Sequence, residues 1–189
     1  MERSRTTVVA LVGADLATPH RVLASVSGMP TAAPDLGVPA LERAAAVRGS
    51  VASSSSPYFL HDADPLRSVA EAWELHYDER SPIGTLEVAV AETIAAWRAG
   101  RVELPDYYLV LEPERWGPTL RHFYLGWLAA QAPARVIPVP AGTEAVIQAT
   151  RSLPSGRWWP EMDRLVQGVE RTVPDVLSPE LAVPPSAGP

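Results

Sequence analysis

Four runs of β-branched and aromatic residues have the pattern of buried strands. The first, residues 6–12, is continuously apolar, which is typical of a parallel strand covered on both faces. A weaker run surrounds residues 58–60, the clearest covers residues 107–111, and the last covers residues 135–139. Pro138 lies inside the last run and has no N–H for a ladder, so we expect that strand at an edge or ending early.

Between these runs, apolar residues recur at spacings of three and four, which predicts amphipathic helices. The predicted helices begin near residues 18, 39, 64, 81, 118, 143 and 160, most of them beside a proline. Thr18 and Asp64 each precede a proline and are the expected N-caps of their helices.

The chain length predicts one α/β domain over residues 1–173, because 189 residues suffice for a single core and are few for two. Residues 29–57 carry several prolines and a run of four serines, so we expect a mobile loop region with one short helix. Residues 174–189 contain five prolines and are expected to form a disordered tail.

The alternation of strands and helices predicts a small Rossmann-like parallel sheet of three to four strands flanked by helices. In open parallel sheets, ligands bind beyond the carboxyl ends of the strands. Four segments should meet at that edge: residues 13–15, 61–64, 112–117 and 141–143.

The chain contains no cysteine and no lysine, which removes several chemistries. Disulfides, thiolate nucleophiles and iron-sulfur clusters need cysteine. A Schiff base, and therefore lysine-bound pyridoxal phosphate, needs lysine. The remaining catalytic groups are carboxylate, imidazole and hydroxyl side chains.

The net charge of −6 and the pI near 5.2 argue against general nucleic-acid binding, which requires clustered cations. A short nucleotide is still compatible, since a few arginines and a helix N-terminus can hold its phosphates. No apolar run is long enough for a membrane helix, and the N-terminal segment does not resemble a signal peptide. We therefore expect a cytoplasmic protein that does not bind membranes.

The segment after the second predicted strand carries the densest set of reactive side chains. His61, Asp62 and Asp64 could ligate a divalent cation, and Asp62 could act as a general base. The alternative is structural, because Asp62 and Asp64 also favour the start of the next helix.

The segment after the third strand contains a second set of candidates. Glu112 and Glu114 are candidate acid–base carboxylates, and Arg115 is a candidate anion ligand. Trp116 is expected to be an exposed aromatic that contacts a ligand or a partner. The alternative is a solvated turn with a local ion pair.

Gly13 and Asp15 after the first strand, and Thr143 after the fourth, are further candidate ligand-binding residues. Their support is topological, because the glycine pattern of dinucleotide-binding loops is absent and Asp15 would repel a phosphate placed against it.

Three functions are compatible with these features. The first is a module that binds a small anionic or nucleotide-like ligand, or a partner protein, without robust catalysis. The second is a carboxylate- or metal-dependent hydrolase or glycosyl-type transferase. The third is a non-catalytic assembly subunit, suggested by the loop residues Trp116, Trp158 and Trp159. The oligomeric state is left open.

Overall fold

The computed structural model describes residues 6–154 and 159–174, and these contain one parallel sheet. The strands lie side by side in the order β2-β3-β1-β4-β5. They are β1 (Thr7–Val12), β2 (Thr31–Ala32), β3 (Tyr58–His61), β4 (Tyr107–Leu111) and β5 (Val136–Val139). The predicted α/β, Rossmann-like class is confirmed, and the two residues of β2 add a fifth strand by pairing with β3.

Helices connect the strands at most of the positions that the apolar spacing predicts. In the described ranges they are α1 (Ala17–Ala24), α2 (Ala40–Ser53), α3 (Arg67–Tyr77), α4 (Ile83–Arg98), α5 (Pro118–His122), α6 (Ala129–Gln131), α7 (Thr143–Ser152) and α8 (Met162–Val166). None of the helices in these ranges has both the length and the apolar composition that crossing a bilayer needs.

The segment 29–57 is more regular than expected. It contains β2 and a helix, α2, of 14 residues rather than a short one. Alanine, which has the highest helix propensity, occurs repeatedly in α2 and supports its length. The mobility of this segment stays a prediction. The expected tail, apart from Pro174, lies outside the described residues.

The helix predicted from residue 118 onward contains a π-helical stretch, Phe123–Leu128, between α5 and α6. A Cβ at Gly126 would lie 2.6 Å from the ring of His122, so a larger residue at this position would displace that ring. The ring lies parallel to Trp73, with an interplanar angle of 10°. The apolar spacing predicts only an α-helix here, because it carries no signal for an inserted residue.

Apolar layers cover both faces of the sheet, because strand side chains alternate between the faces. Val9 and Leu11 of β1 face one layer, which α1 and α7 cover. Ala10 and Val12 face the other layer, which α3, α4, α5 and α8 cover. All six residues of β1 are buried, as the continuous apolar run predicted.

The order of the strands reverses beside β1. The chain first adds β3 and β2 on one side of β1, then returns to add β4 and β5 on the other side. The carboxyl ends of β1 and β4 therefore border a topological switch point, the place where open α/β sheets bind ligands. We call the place at the carboxyl edge where residues 13–15 follow β1 and residues 112–116 follow β4 the switch crevice.

Candidate functional site

Arg67, the first residue of α3, fixes the loop after β1 through hydrogen bonds to its carbonyl oxygens. Its Nη1 donates to the carbonyl oxygen of Gly13 at 2.8 Å, and its Nη2 donates to that of Ala14 at 3.0 Å. Its Nε donates to Glu71 at 2.6 Å. Arg67 is buried, so these bonds hold the loop of the switch crevice in one backbone conformation.

Fixing these carbonyls also fixes the direction of two N–H groups. In a trans peptide the C=O and the following N–H point in opposite directions. The N–H groups of Ala14 and Asp15 therefore point away from Arg67. Neither donates to another backbone group of the described residues, and both residues are exposed. Two adjacent N–H groups of this kind can bind an anion.

Gly13 is required by the close approach of the chain to α1. A Cβ at this position would lie 2.8 Å from Cδ of Pro19 and 2.9 Å from the carbonyl oxygen of Asp15. Contacts this short force atoms to move, and one of them is a backbone atom. The loop after β1 can therefore follow this path only with glycine at position 13.

Asp15 turns its carboxylate onto the start of α1. It accepts hydrogen bonds from the N–H of Thr18 at 2.7 Å and from the Thr18 hydroxyl at 3.3 Å. The bond from the Thr18 N–H lowers the pKa of Asp15. Thr18 was predicted as the N-cap, and this is wrong: Leu16 occupies that position, because Asp15 satisfies the N–H group inside the first turn.

The loop after β4 begins with a strained residue. Glu112 has φ 46° and ψ 53°, a left-handed conformation that is uncommon for residues with a Cβ. Its carboxylate pairs with Arg115 Nη1 at 3.1 Å, and the Arg115 side chain is 73% exposed. Backbone strain of this kind is concentrated at functional sites. Glu114 is exposed beside this pair.

Trp116 was expected to be exposed, and this is wrong. It is buried in the core below the loop, and its indole N–H donates to the carbonyl oxygen of Leu111 at 2.8 Å. Trp159 is half-buried against the same core, with its ring edge-on to Tyr108. Trp158 lies outside the described residues. Burial of Trp116 removes it from the exposed aromatics that suggested stacking or assembly.

Asp64 forms a buried hydrogen-bonded cluster. Its Oδ1 accepts from the Tyr108 hydroxyl at 2.9 Å and the N–H of Leu66 at 2.8 Å, and its Oδ2 accepts from the Tyr124 hydroxyl at 2.6 Å. Burial raises the pKa of Asp64 above its ordinary value, and these donors and the charge of Arg67 offset part of that rise. Leu66, rather than Asp64, is the N-cap of α3. The Asp64 carboxylate therefore joins β3, β4 and the helix after β4.

Asp62 has separate partners at the same edge of the sheet. Its Oδ2 lies 2.9 Å from Nδ1 of His20 on α1, and its Oδ1 lies 2.9 Å from Nη2 of Arg43 on α2. The contact with Arg43 is an ion pair without hydrogen-bond alignment. Burial raises the pKa of Asp62 above its ordinary value, and the charge of Arg43 and the contact with His20 offset part of that rise. Because Arg43 is a buried permanent cation, we assign the negative charge to Asp62.

His61 is a core residue rather than an open metal ligand. Its Nδ1 accepts the N–H of Ala63 at 3.2 Å, which places the ring proton on Nε2. Within residues 6–154 and 159–174, no three His, Asp or Glu side chains are placed to hold a metal ion. The divalent-cation site on His61, Asp62 and Asp64 gains no support from this geometry and stays a prediction.

His61 should titrate only in acid. Burial, with a contribution from the charge of Arg43, lowers its pKa from 6.5 to about 4. A proton is then bound less tightly in the folded state, so stability is complete above pH 6.5 and falls as the pH falls from 6.5 toward 4. The loss from this group reaches about 3 kcal/mol at most. NMR titration of the His61 ring should give a midpoint near pH 4, and a midpoint at 6 or above would contradict this assignment.

The structure brings only some of the predicted site residues together. Gly13 and Asp15 lie on one side of the switch crevice, and Glu112, Glu114 and Arg115 lie on the other. Thr143 begins α7 after the edge strand β5, one strand farther away, and is half-buried. All four predicted segments lie at the carboxyl edge of the sheet.

Three functional candidates were missed by the sequence analysis: His20, Arg43 and Arg67. Each lies in the first turn of a helix that begins at the carboxyl edge. That position was a usable signal. Their contacts with Asp62 and with the loop after β1, however, join segments 19 to 54 residues apart and follow no local pattern. Comparison with models of known protein families, with curated proteins and with solved structures finds no match for this chain.

Proposed function

We propose that the protein binds a small anionic or nucleotide-like ligand in the switch crevice, through phosphoryl oxygens. The observation that carries the proposal is the clamp of Arg67 on the carbonyls of Gly13 and Ala14. This clamp presents the N–H groups of Ala14 and Asp15 together at the carboxyl end of β1. A preorganised pair of donors binds an anion without ordering the loop first.

Arg115 supplies the positive charge on the opposite side of the crevice. Its guanidinium is mostly exposed, and its present partner is Glu112 in the same loop. An exposed ion pair of this kind contributes little free energy. Arg115 can therefore leave Glu112 for a phosphoryl group, which it would bind through two parallel hydrogen bonds.

The carboxylate of Asp15 keeps its negative charge, and the proposal requires that its hydrogen bonds with Thr18 hold it against α1, away from the bound anion. Its two oxygens accept from Thr18 at the start of α1. We propose that the ligand accepts hydrogen bonds from the backbone N–H groups of Ala14 and Asp15. Trp116 is buried, so base stacking on that ring forms no part of the proposal.

Calorimetric titration of the full chain with pyrophosphate and with ADP tests this function. We expect both to bind, and Arg115→Ala to weaken binding about tenfold because the only side-chain cation assigned to the ligand is lost. Arg101→Ala is the matched control, since Arg101 is also exposed but lies before β4, at the amino edge of the sheet. This control should bind as the wild type does.

Comparing the two ligands also shows whether the protein recognises a nucleotide or only its phosphoryl groups. Tighter binding of ADP than of pyrophosphate would indicate additional contacts to the nucleoside, and equal binding would indicate recognition of the anion alone. Absence of binding by both ligands at millimolar concentration would refute the proposal. An unchanged dissociation constant in Arg115→Ala would refute the role of Arg115.

A further inference from the structure

His20 and Asp62 form a carboxylate–imidazole pair at the carboxyl edge of the sheet. The Asp62 side chain is 1% exposed, whereas that of His20 is 34% exposed. The carboxylate contacts Nδ1 of the ring at 2.9 Å. The buried member of the pair therefore holds the exposed member by one ring nitrogen, and within the described residues Nε2 has no hydrogen-bond partner.

Arg43 fixes the other side of Asp62. It is 1% exposed, and its Nη2 lies 2.9 Å from Oδ1. Arg43 also donates to the carbonyl oxygen of Pro34 at 3.4 Å, which anchors the guanidinium to the segment before α2. A buried cation in this position keeps Asp62 ionised, and an ionised carboxylate accepts the Nδ1 proton of a neutral imidazole.

We propose that His20 is a general base, that Asp62 orients it, and that Arg43 is a positioning residue for Asp62. With the ring proton on Nδ1, the lone pair on Nε2 is available to a proton donor at the carboxyl edge. Asp62 would also stabilise the imidazolium that forms when Nε2 takes a proton.

The reaction class is transfer of a group to water or to a hydroxyl. His20 Nε2 takes the O–H proton, and the oxygen uses the released electron pair to bond to the electrophilic atom of the ligand. The bond to the leaving group breaks, and the imidazolium returns its proton to that group. The substrate class is a small phosphoryl ligand bound at the carboxyl edge beside β1 and β3, where the pair lies. Identifying this substrate with the ligand of the switch crevice rests on the proposed function.

Carbethoxylation by diethyl pyrocarbonate at pH 7, followed by peptide mass spectrometry, tests the pair without a ligand. Nε2 must carry a free lone pair to attack the reagent. His76, also half-buried and in no ion pair of the described residues, is the internal control. We expect His20 to react about threefold faster than His76 or more, because its carboxylate partner holds the reactive tautomer.

Asp62→Asn is the matched variant. An amide N–H donated to Nδ1 would place the ring proton on Nε2 and leave neither nitrogen with a free lone pair. The rate at His20 should therefore fall to that of His76 or below it, while the rate at His76 stays unchanged. If His20 and Asp62 formed only an ion pair, the wild-type ring would be an imidazolium without a free lone pair. His20 would then react slowly in the wild type and faster in Asp62→Asn. His20 reacting no faster than His76, or equally fast in Asp62→Asn, would overturn the inference.

A second measurement covers the case in which Asp62→Asn does not fold. The ¹⁵N shifts of the His20 ring in the wild type should show a protonated Nδ1 and an unprotonated Nε2 at pH 7, and a ring protonated on both nitrogens would overturn the inference. Neither readout uses a ligand. Failure of pyrophosphate and ADP to bind would therefore refute the proposed function and leave the evidence on His20 intact.

Discussion

Replacing Asp64 by alanine is expected to reduce the free energy of unfolding by about 3–5 kcal/mol. The substitution leaves the hydroxyls of Tyr108 and Tyr124 without their acceptor in the core. It also removes the acceptor of the buried Leu66 N–H, which lowers the stability further. Urea unfolding followed by circular dichroism measures the change.

Asp35→Ala is the control for this prediction, because Asp35 is exposed and, among the described residues, its carboxylate accepts only the local bond from the N–H of Gly37. Its effect should stay within about 0.5 kcal/mol. Tyr124→Phe removes one donor and keeps the ring, so it should cost about 1–2 kcal/mol. If Asp64→Ala were as stable as Asp35→Ala, the buried cluster would not contribute to stability.

Replacing Arg67 by lysine should destabilise the protein by about 2 kcal/mol and weaken pyrophosphate binding about tenfold. Lysine keeps the positive charge but cannot reach Gly13, Ala14 and Glu71 in the planar arrangement that the guanidinium provides. The loop after β1 would lose its fixed conformation. Calorimetry and urea unfolding of the same variant measure both effects.

Arg98→Lys is the matched control, since Arg98 forms an exposed pair with Asp163 at 3.5 Å. This substitution should change stability by less than about 0.5 kcal/mol and should leave binding unchanged. Wild-type affinity in Arg67→Lys would show that the charge alone matters. The clamp on the loop carbonyls would then have no role in binding.

The fold could be predicted because its signals are local. The apolar run of β1 and the aromatic run of β4 have the pattern of strands buried on both faces, and the structure confirms both. The carboxyl edge follows from the parallel arrangement, since all strand ends then meet on one side. The strand order had no such signal, because it depends on packing between distant segments.

The side-chain partners at the site could not be predicted for the same reason. Tyr108 belongs to an apolar strand, and nothing in that pattern shows that its hydroxyl meets Asp64, 44 residues away. Asp62 was identified as a candidate, but its partners are His20 on α1 and Arg43 on α2, which are distant in the sequence. Trp116 follows a strand at a loop position, and its burial depends on the helix that folds over it.

Pyrophosphate titration followed by amide ¹H–¹⁵N NMR tests the central claim most directly. If the ligand binds in the switch crevice, the amide signals of Ala14 and Asp15 should shift in a saturable way, because these N–H groups donate to it. The signals of Gly100 and Arg101, between α4 and β4 at the amino edge, should stay unchanged. Saturable shifts confined to other residues, or no shifts at Ala14 and Asp15, would contradict the account.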